Sequence, residues 1–271
     1  MKPIGKVIFT FYAIFAATAV AGLIMFIFGL IGENPEIEKI GGLLALCSVA
    51  IVLILYLLAM LGAMAAPKAS REFFNDADPY KYLEKLLKIQ NGKRYFAVNQ
   101  QTLKIFISAA YSFMGKFDES LAVIGQVKLP KNKLLELTVY SIYIDYFSSK
   151  GDINATLMWY QTLIDFANKK QFHGVFTQAV NDCVLLSRAG IGLLQNDLNA
   201  FDWAVINCLN KRDNRVQATA NDYVFARYAI ARGEIQNAMF YLNAVIANGN
   251  RLFVVDEAKR LLEKITSEGR V

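Results

Sequence analysis

The sequence predicts an all-α protein, with an N-terminal transmembrane helical hairpin followed by antiparallel helix pairs. Three observations carry this expectation. Two uncharged apolar runs lie near the start of the 271-residue chain, amphipathic segments with short regular breaks fill the rest, and one ten-residue phrase recurs four times across those breaks.

The first run, 7–31, reads "VIFTFYAIFAATAVAGLIMFIFGLI", and the second, 40–66, reads "IGGLLALCSVAIVLILYLLAMLGAMAA". Each exceeds the roughly 20 apolar residues that a helix needs to cross a hydrocarbon core about 30 Å thick. Lys2, Lys6 and the small-residue stretch Ala17-Thr18-Ala19 also fit a signal peptide. The run continues well beyond that site, however, and a second spanning run follows at once, so both are expected to stay as helices. The connecting "GENPEIEK" carries Glu33, Glu36 and Glu38 against Lys39, whereas the far flank opens with Lys68 and Arg71. Cationic flanks stay on the cytoplasmic side. Both termini and everything after the hairpin are therefore expected in the cytoplasm, with the hairpin in the plasma membrane. Ala13, Ala17 and Ala21 form a small-residue stripe that suits packing of the first run on the second. Neither run holds an Asp, Glu, Lys, Arg or His side chain, which speaks against transport.

Residues 1–67 are thus read as an anchor, 68–98 as a juxtamembrane segment with a capping helix, and 99–271 as a helical repeat domain ending in another capping helix. The first 67 residues carry three lysines and three glutamates, so the whole net charge of +6 lies beyond them. Lys81, Lys85, Lys88, Lys93 and Arg94 could attract anionic lipid. Glu72, Asp76, Asp78 and Glu84 alternate with them and favour an ordinary solvated helix surface. No dense basic stripe or aromatic-plus-basic module points to nucleic acid.

Asp78-Pro79 is expected to start a helix, because the carboxylate caps free amides and proline suits the first helical position. Asn91-Gly92 is expected to end it. Further breaks follow at Pro130, Gly151, His173-Gly174, Asn196, Gly233 and Asn248-Gly249. Four joints share one phrase: "GKFDESLAVI" from Gly115, "GDINATLMWY" from Gly151, "NDLNAFDWAV" from Asn196 and "GEIQNAMFYL" from Gly233. Each opens on Gly or Asn, which tolerate the left-handed backbone that ends a helix. Phe117, Ile153, Leu198 and Ile235 follow two positions on and are expected to be buried. Ile124, Tyr160, Val205 and Leu242, then Val127, Leu163, Cys208 and Val245, continue one helical face.

The joints are 36, 45 and 37 residues apart, the longest interval holding extra residues around "FANKKQFHGV". The stretch "SAAYSFMGKFDESLAVIGQV", 108–127, carries Ser108, Tyr111, Gly115, Phe117 and Ser120 in an order that resembles the tetratricopeptide repeat family, whose units are helix pairs of about 34 residues. Phe147, Gly151, Thr156 and Tyr160 repeat most of the pattern; Ala226, Gly233 and Ala238 repeat part. The third unit departs, with Gly192 for an aromatic, Asn196 for the turn glycine and Phe201 for a small residue. The resemblance spans roughly 99–250 and implies a tetratricopeptide-like α-solenoid whose matched residues are mainly core.

By the same resemblance, the concave face would offer Thr102, Ile105 and Ala109, then Thr138, Ser141 and Asp145, then Cys183 and Leu186, and finally Tyr223 and Arg227. Thr138, Ser141, Asp145, Tyr223 and Arg227 are the candidate partner-binding residues. Asp145 and Arg227 equally suit plain solvation. The lone His173 sits in a break without a cysteine, serine or carboxylate constellation, and no phosphate loop, GxSxG, HExxH or metal-spaced cluster occurs. Cys47, Cys183 and Cys208 form no disulfide framework. Asp152, Asp197, Asp202 and Glu234 fall at helix starts, where they complement the dipole. The expectation is a non-enzymatic protein without cofactor or metal, held in the bilayer and binding a protein or peptide as a scaffold or assembly factor. The alternatives are an obligate subunit of a membrane complex and an enzyme whose site carries no recognised motif.

Overall fold

A computed structural model describes residues 65–92, 99–169 and 172–267. The predicted membrane runs fall outside these residues, apart from positions 65 and 66. Among the described residues no helix is long and apolar enough to cross a membrane. The chain divides into two compact units, one of residues 1–65 with 92–99, the other of Ala66–Asn91 with Gln100–Val271. Nearly all the described residues belong to the second, which is helical and, among the described residues, has no strand.

Its helices are α1 (Ala65–Asp76), α2 (Pro79–Asn91), α3 (Gln100–Phe113), α4 (Phe117–Ile124), α5 (Lys133–Ser149), α6 (Ile153–Lys169), α7 (Val175–Gln195), α8 (Trp203–Leu209), α9 (Arg215–Ala231), α10 (Ile235–Asn248) and α11 (Phe253–Ser267). The segment expected as one capping helix is thus two, α1 and α2. Asp78 Oδ1 accepts from the amides of Tyr80 and Lys81 at 3.0 and 3.1 Å, with Pro79 first in α2, as the sequence predicts. Among the expected helix-start acids, Asp152, Asp197 and Asp202 accept from the amides of Ala155, Asn199 and Val205. Glu234 makes no such bond.

The joints bear out the sequence reading at the backbone. Gly115, Gly151, Asn196 and Gly233 have φ of 73°, 70°, 56° and 74°. Their short turns fold α4 against α3, α6 against α5 and α10 against α9. At the crossing of α3 and α4 the backbones approach so closely that Ser108 Oγ donates to the Ser120 carbonyl and Ser120 Oγ to the Ser108 carbonyl, both at 2.8 Å. Thr156 and Ala238 are buried at the equivalent crossings. In the third pair Phe201 occupies that place, and the second helix shrinks to a 3₁₀ turn (Leu198–Ala200) and the seven-residue α8. Gly192 accommodates this: a Cβ there would lie 2.4 Å from Ala200 Cβ and 2.8 Å from the Tyr228 hydroxyl.

One expectation needs correction. Phe117, Leu198 and Ile235 are only half-buried, and Ile153 is exposed. The deep core lies farther along each phrase, at Ile124, Leu163, Val205, Cys208, Leu242 and Val245, with Tyr160 and Val127 half-buried. A residue in the first turn of a second helix lies at the edge of its pair, so little covers it. At the last break the helix ends at Asn248 as expected, but Asn250, not Gly249, takes the left-handed conformation, with φ 50°.

Consecutive first helices also pack on one another, α3 on α5, α5 on α7, α7 on α9 and α9 on α11. The two ends of this array meet. Asn250 Nδ2 donates to the Asp76 carbonyl at 2.9 Å, Arg251 lies 3.6 Å from Asp78 and 4.1 Å from the Tyr80 ring centroid, and Phe253 meets Phe117 edge-on at 5.3 Å.

Gly115 and Gly151 share a strained φ but not their surroundings. A Cβ at Gly115 would lie 2.9 Å from Phe253 Cβ, whereas Gly151 has open space. Gly151→Ala is therefore expected to cost about 1–2 kcal/mol from the left-handed backbone alone. Gly115→Ala is expected to cost more, because it also wedges apart the meeting ends. Paired thermal melts of the two variants check the order.

Candidate functional site

The contacts between first helices decide which candidate residues meet. Ser141 on α5 and Cys183 on α7 approach to 3.1 Å between Oγ and Sγ, while Ser141 Oγ also donates to the Leu137 carbonyl. Burial pushes the Cys183 thiol up to about 11, and the nearby Asp145 charge adds to that rise. A thiol so raised stays protonated at neutral pH, which makes it a poor nucleophile.

Asp145, one turn beyond Ser141, is exposed and has no hydrogen-bond or ion-pair partner among the described residues. Desolvation nevertheless pushes its pKa up to about 7. Thr138, one turn before Ser141, is half-buried and turns its hydroxyl back to the Leu134 carbonyl of its own helix at 3.0 Å.

Tyr223 and Arg227 on α9 are half-buried and form a separate group. Burial raises the Tyr223 pKa, with Arg227 opposing and Glu257 and Arg260 of α11 also acting on it. No hydrogen bond or ion pair among the described residues joins this group to Ser141 and Asp145. Of the other concave-face candidates, Ile105 is wholly buried, packing with Ile124, Val139 and Ile142, and so is not available to a partner. Thr102 is half-buried, Ala109 supports the same core, and Leu186 supports the cluster around Val205. A strict helical offset picks out the whole inward side of α3; only packing tells its core rows from its open rows.

Arg188 on α7 was not singled out by the sequence. Its Nη2 lies 2.7 Å from Asp202 Oδ1, an ion-pair distance without hydrogen-bond alignment, and its buried Nε has no hydrogen-bond partner among the described residues. The signal was nonlocal, because Asp202 belongs to the following turn region. His173 is exposed in a loop. A recess of about 340 Å³ lies elsewhere, lined by Asp76, Asp78, Lys81, Arg215 and Asn250. Its charges are engaged at the closure, with Lys81 2.7 Å from Asp76 and Arg251 against Asp78. Among the described residues no group of three metal-ligating side chains converges.

The arrangement offers an accessible, partly dehydrated acid beside a hydroxyl and a protonated thiol, and a separate aromatic-cation group. These can hold a ligand by charge and hydrogen bonds. No protein-family model matches the chain, and no curated protein or solved structure matches it.

Proposed function

We propose that this chain is a membrane-anchored helical-repeat scaffold that captures a protein partner on the face formed by its first helices. The apolar runs at 7–31 and 40–66 would hold it in the plasma membrane, with the repeats on the cytoplasmic side, and would concentrate the partner there. The left-handed joints and the packing of successive helix pairs support a tetratricopeptide-like solenoid. Asp145 supports the capture face most directly. An unpaired, dehydrated and reachable carboxylate favours a basic group on a partner, since the incoming cation restores the lost stabilisation of its charge. Ser141 would add a hydrogen bond, and Tyr223 with Arg227 a second point of contact.

Crosslinked pull-downs from native membranes, comparing the wild type with Asp145→Ala/Tyr223→Ala/Arg227→Ala, test the reading. Loss of a partner from the variant is expected, and an unchanged partner list would overturn the capture face. A second reading, an obligate subunit of a membrane complex, is favoured by the exposure of Trp203 and Phe240.

The acid also has a signature in stability. Its pKa is raised from the ordinary 3.8 to about 7, so between those values the folded protein holds a proton that the unfolded chain has lost. Stability therefore falls as pH rises from about 4 to about 7. Asp145→Asn is expected to raise the melting temperature at pH 8 and to leave it unchanged at pH 4. Capture of a basic segment should run the other way in the wild type, weakening as pH drops through 7.

A further inference from the structure

The row Thr138, Ser141 and Asp145 on α5 has a hydrogen-bonding polarity that follows from counting protons. Thr138 Oγ1 donates its proton to the Leu134 carbonyl at 3.0 Å, and Ser141 Oγ donates its own to the Leu137 carbonyl at 3.1 Å. A hydroxyl has one proton, so in the 3.1 Å contact between Ser141 Oγ and Cys183 Sγ the thiol is the donor. The raised pKa of Cys183 keeps that proton on the sulfur at neutral pH. Lone pairs are then all that either hydroxyl offers outward.

Asp145 completes the row one turn beyond Ser141. It is exposed, and neither of its oxygens has a hydrogen-bond or ion-pair partner among the described residues. Its ionised form can only accept. Other acids of the chain hold a lysine or an arginine, as Asp76, Asp118, Asp182, Asp202 and Asp222 do. At Asp145 desolvation raises the pKa with no cation opposing it. A chain with a net charge of +6 has cations to spare, yet none among the described residues pairs with this acid.

We propose that this row takes the guanidinium of an arginine side chain presented by the partner, an inference that rests on the capture face proposed above. A row of acceptors repels carboxylates and phosphates and turns oxygen toward the oxygen of a neutral amide. It selects a group rich in donors and without an acceptor, as ammonium and guanidinium groups are. Two features favour the guanidinium. Both carboxylate oxygens are open, which suits the paired N–H fork of arginine. Ser141 and Asp145 are about 5–6 Å apart between Cβ atoms, as four-residue neighbours on a helix are, so the outer donors of a planar guanidinium reach the serine oxygen as well. An ammonium concentrates its donors at one point. The second feature is hydration: Asp145 has lost part of its own, a cation docking there must lose some too, and guanidinium is the more weakly hydrated of the two.

The full-length protein in neutral detergent micelles at pH 8, titrated with the acetylated and amidated peptides Gly-Arg-Gly, Gly-Lys-Gly and Gly-citrulline-Gly and followed by ligand-observed nuclear magnetic resonance, tests the proposal. The arginine peptide is expected to bind roughly tenfold more tightly than the citrulline peptide, which keeps the shape without the charge, and roughly threefold more tightly than the lysine peptide. Asp145→Asn should weaken the arginine peptide roughly tenfold with the helical circular dichroism in place. Ser141→Ala should narrow the gap between arginine and lysine, an effect that a loss of packing would not produce. Binding of the arginine peptide no tighter than that of the lysine peptide, binding that survives Asp145→Asn, or no binding to the wild type overturns the guanidinium assignment, and the capture face stands if the pull-down still loses a partner. An unchanged partner list in that pull-down overturns the face and the assignment together.

Discussion

Leu163→Ala is expected to destabilise the protein by about 2–5 kcal/mol, the range for truncating a fully buried leucine. Leu163 is 0% exposed and packs in one cluster with Leu137, Tyr140 and Ile144 of α5, Phe166 of its own helix and Val180 of α7. Three helices meet at that point, so no single one can collapse into the cavity without pulling away from the other two. The same cluster holds α5 against α7, and thereby Ser141 against Cys183. Met158→Ala, on the same helix but more than half exposed, should change stability by less than about 0.5 kcal/mol. Chemical denaturation of both variants, followed by circular dichroism, checks the contrast. Equal losses would contradict the packing described for α6.

Asn221→Leu should cost about 2–4 kcal/mol for a different reason. Asn221 is 2% exposed, and its Nδ2 donates to the carbonyls of Leu209 and Lys211, both at 3.0 Å. These carbonyls close the C-terminal end of α8, the short helix of the third pair. A helix of seven residues has little cooperativity of its own, and its last carbonyls have no partner within the helix. Leucine matches the volume but leaves two acceptors without their donor, the Leu209 carbonyl buried and the Lys211 carbonyl part-buried, a buried one being worth about 1–3 kcal/mol. Asn221→Asp retains the shape and replaces the donor with an acceptor, so it should be at least as damaging at neutral pH. Hydrogen exchange of the α8 amides would show whether the loss begins at that helix.

The two residues differ in how much of their role is visible in the chain. Leu163 stands at a recurring offset from Gly151, the same as Val245 from Gly233, and its burial follows from helical periodicity. Asn221 stands at no such offset; its two bonds require α8 and α9 to be placed first. The candidate site divides similarly. The offsets put Thr138, Ser141 and Asp145 on one face of α5, and Tyr223 and Arg227 on one face of α9. They could not tell that Thr138 bonds to its own helix, that Ile105 is core, or that Asp145 is crowded enough to hold its proton near pH 7. Each of those depends on the neighbouring helix.

The sequence alone determined the all-helical class, the capped start of α2 and the four joints with Gly115, Gly151, Asn196 and Gly233 in the left-handed conformation. These are local matters, decided by a few adjacent residues and the period of the helix. Tertiary structure alone decided the meeting of the ends through Asn250 and Arg251, the proximity of Ser141 to Cys183, and the outward placement of Met158, Trp203 and Phe240. Asn250 and Asp76 are 174 positions apart. No periodicity relates residues so distant, because their contact is the sum of small rotations at every intervening helix pair.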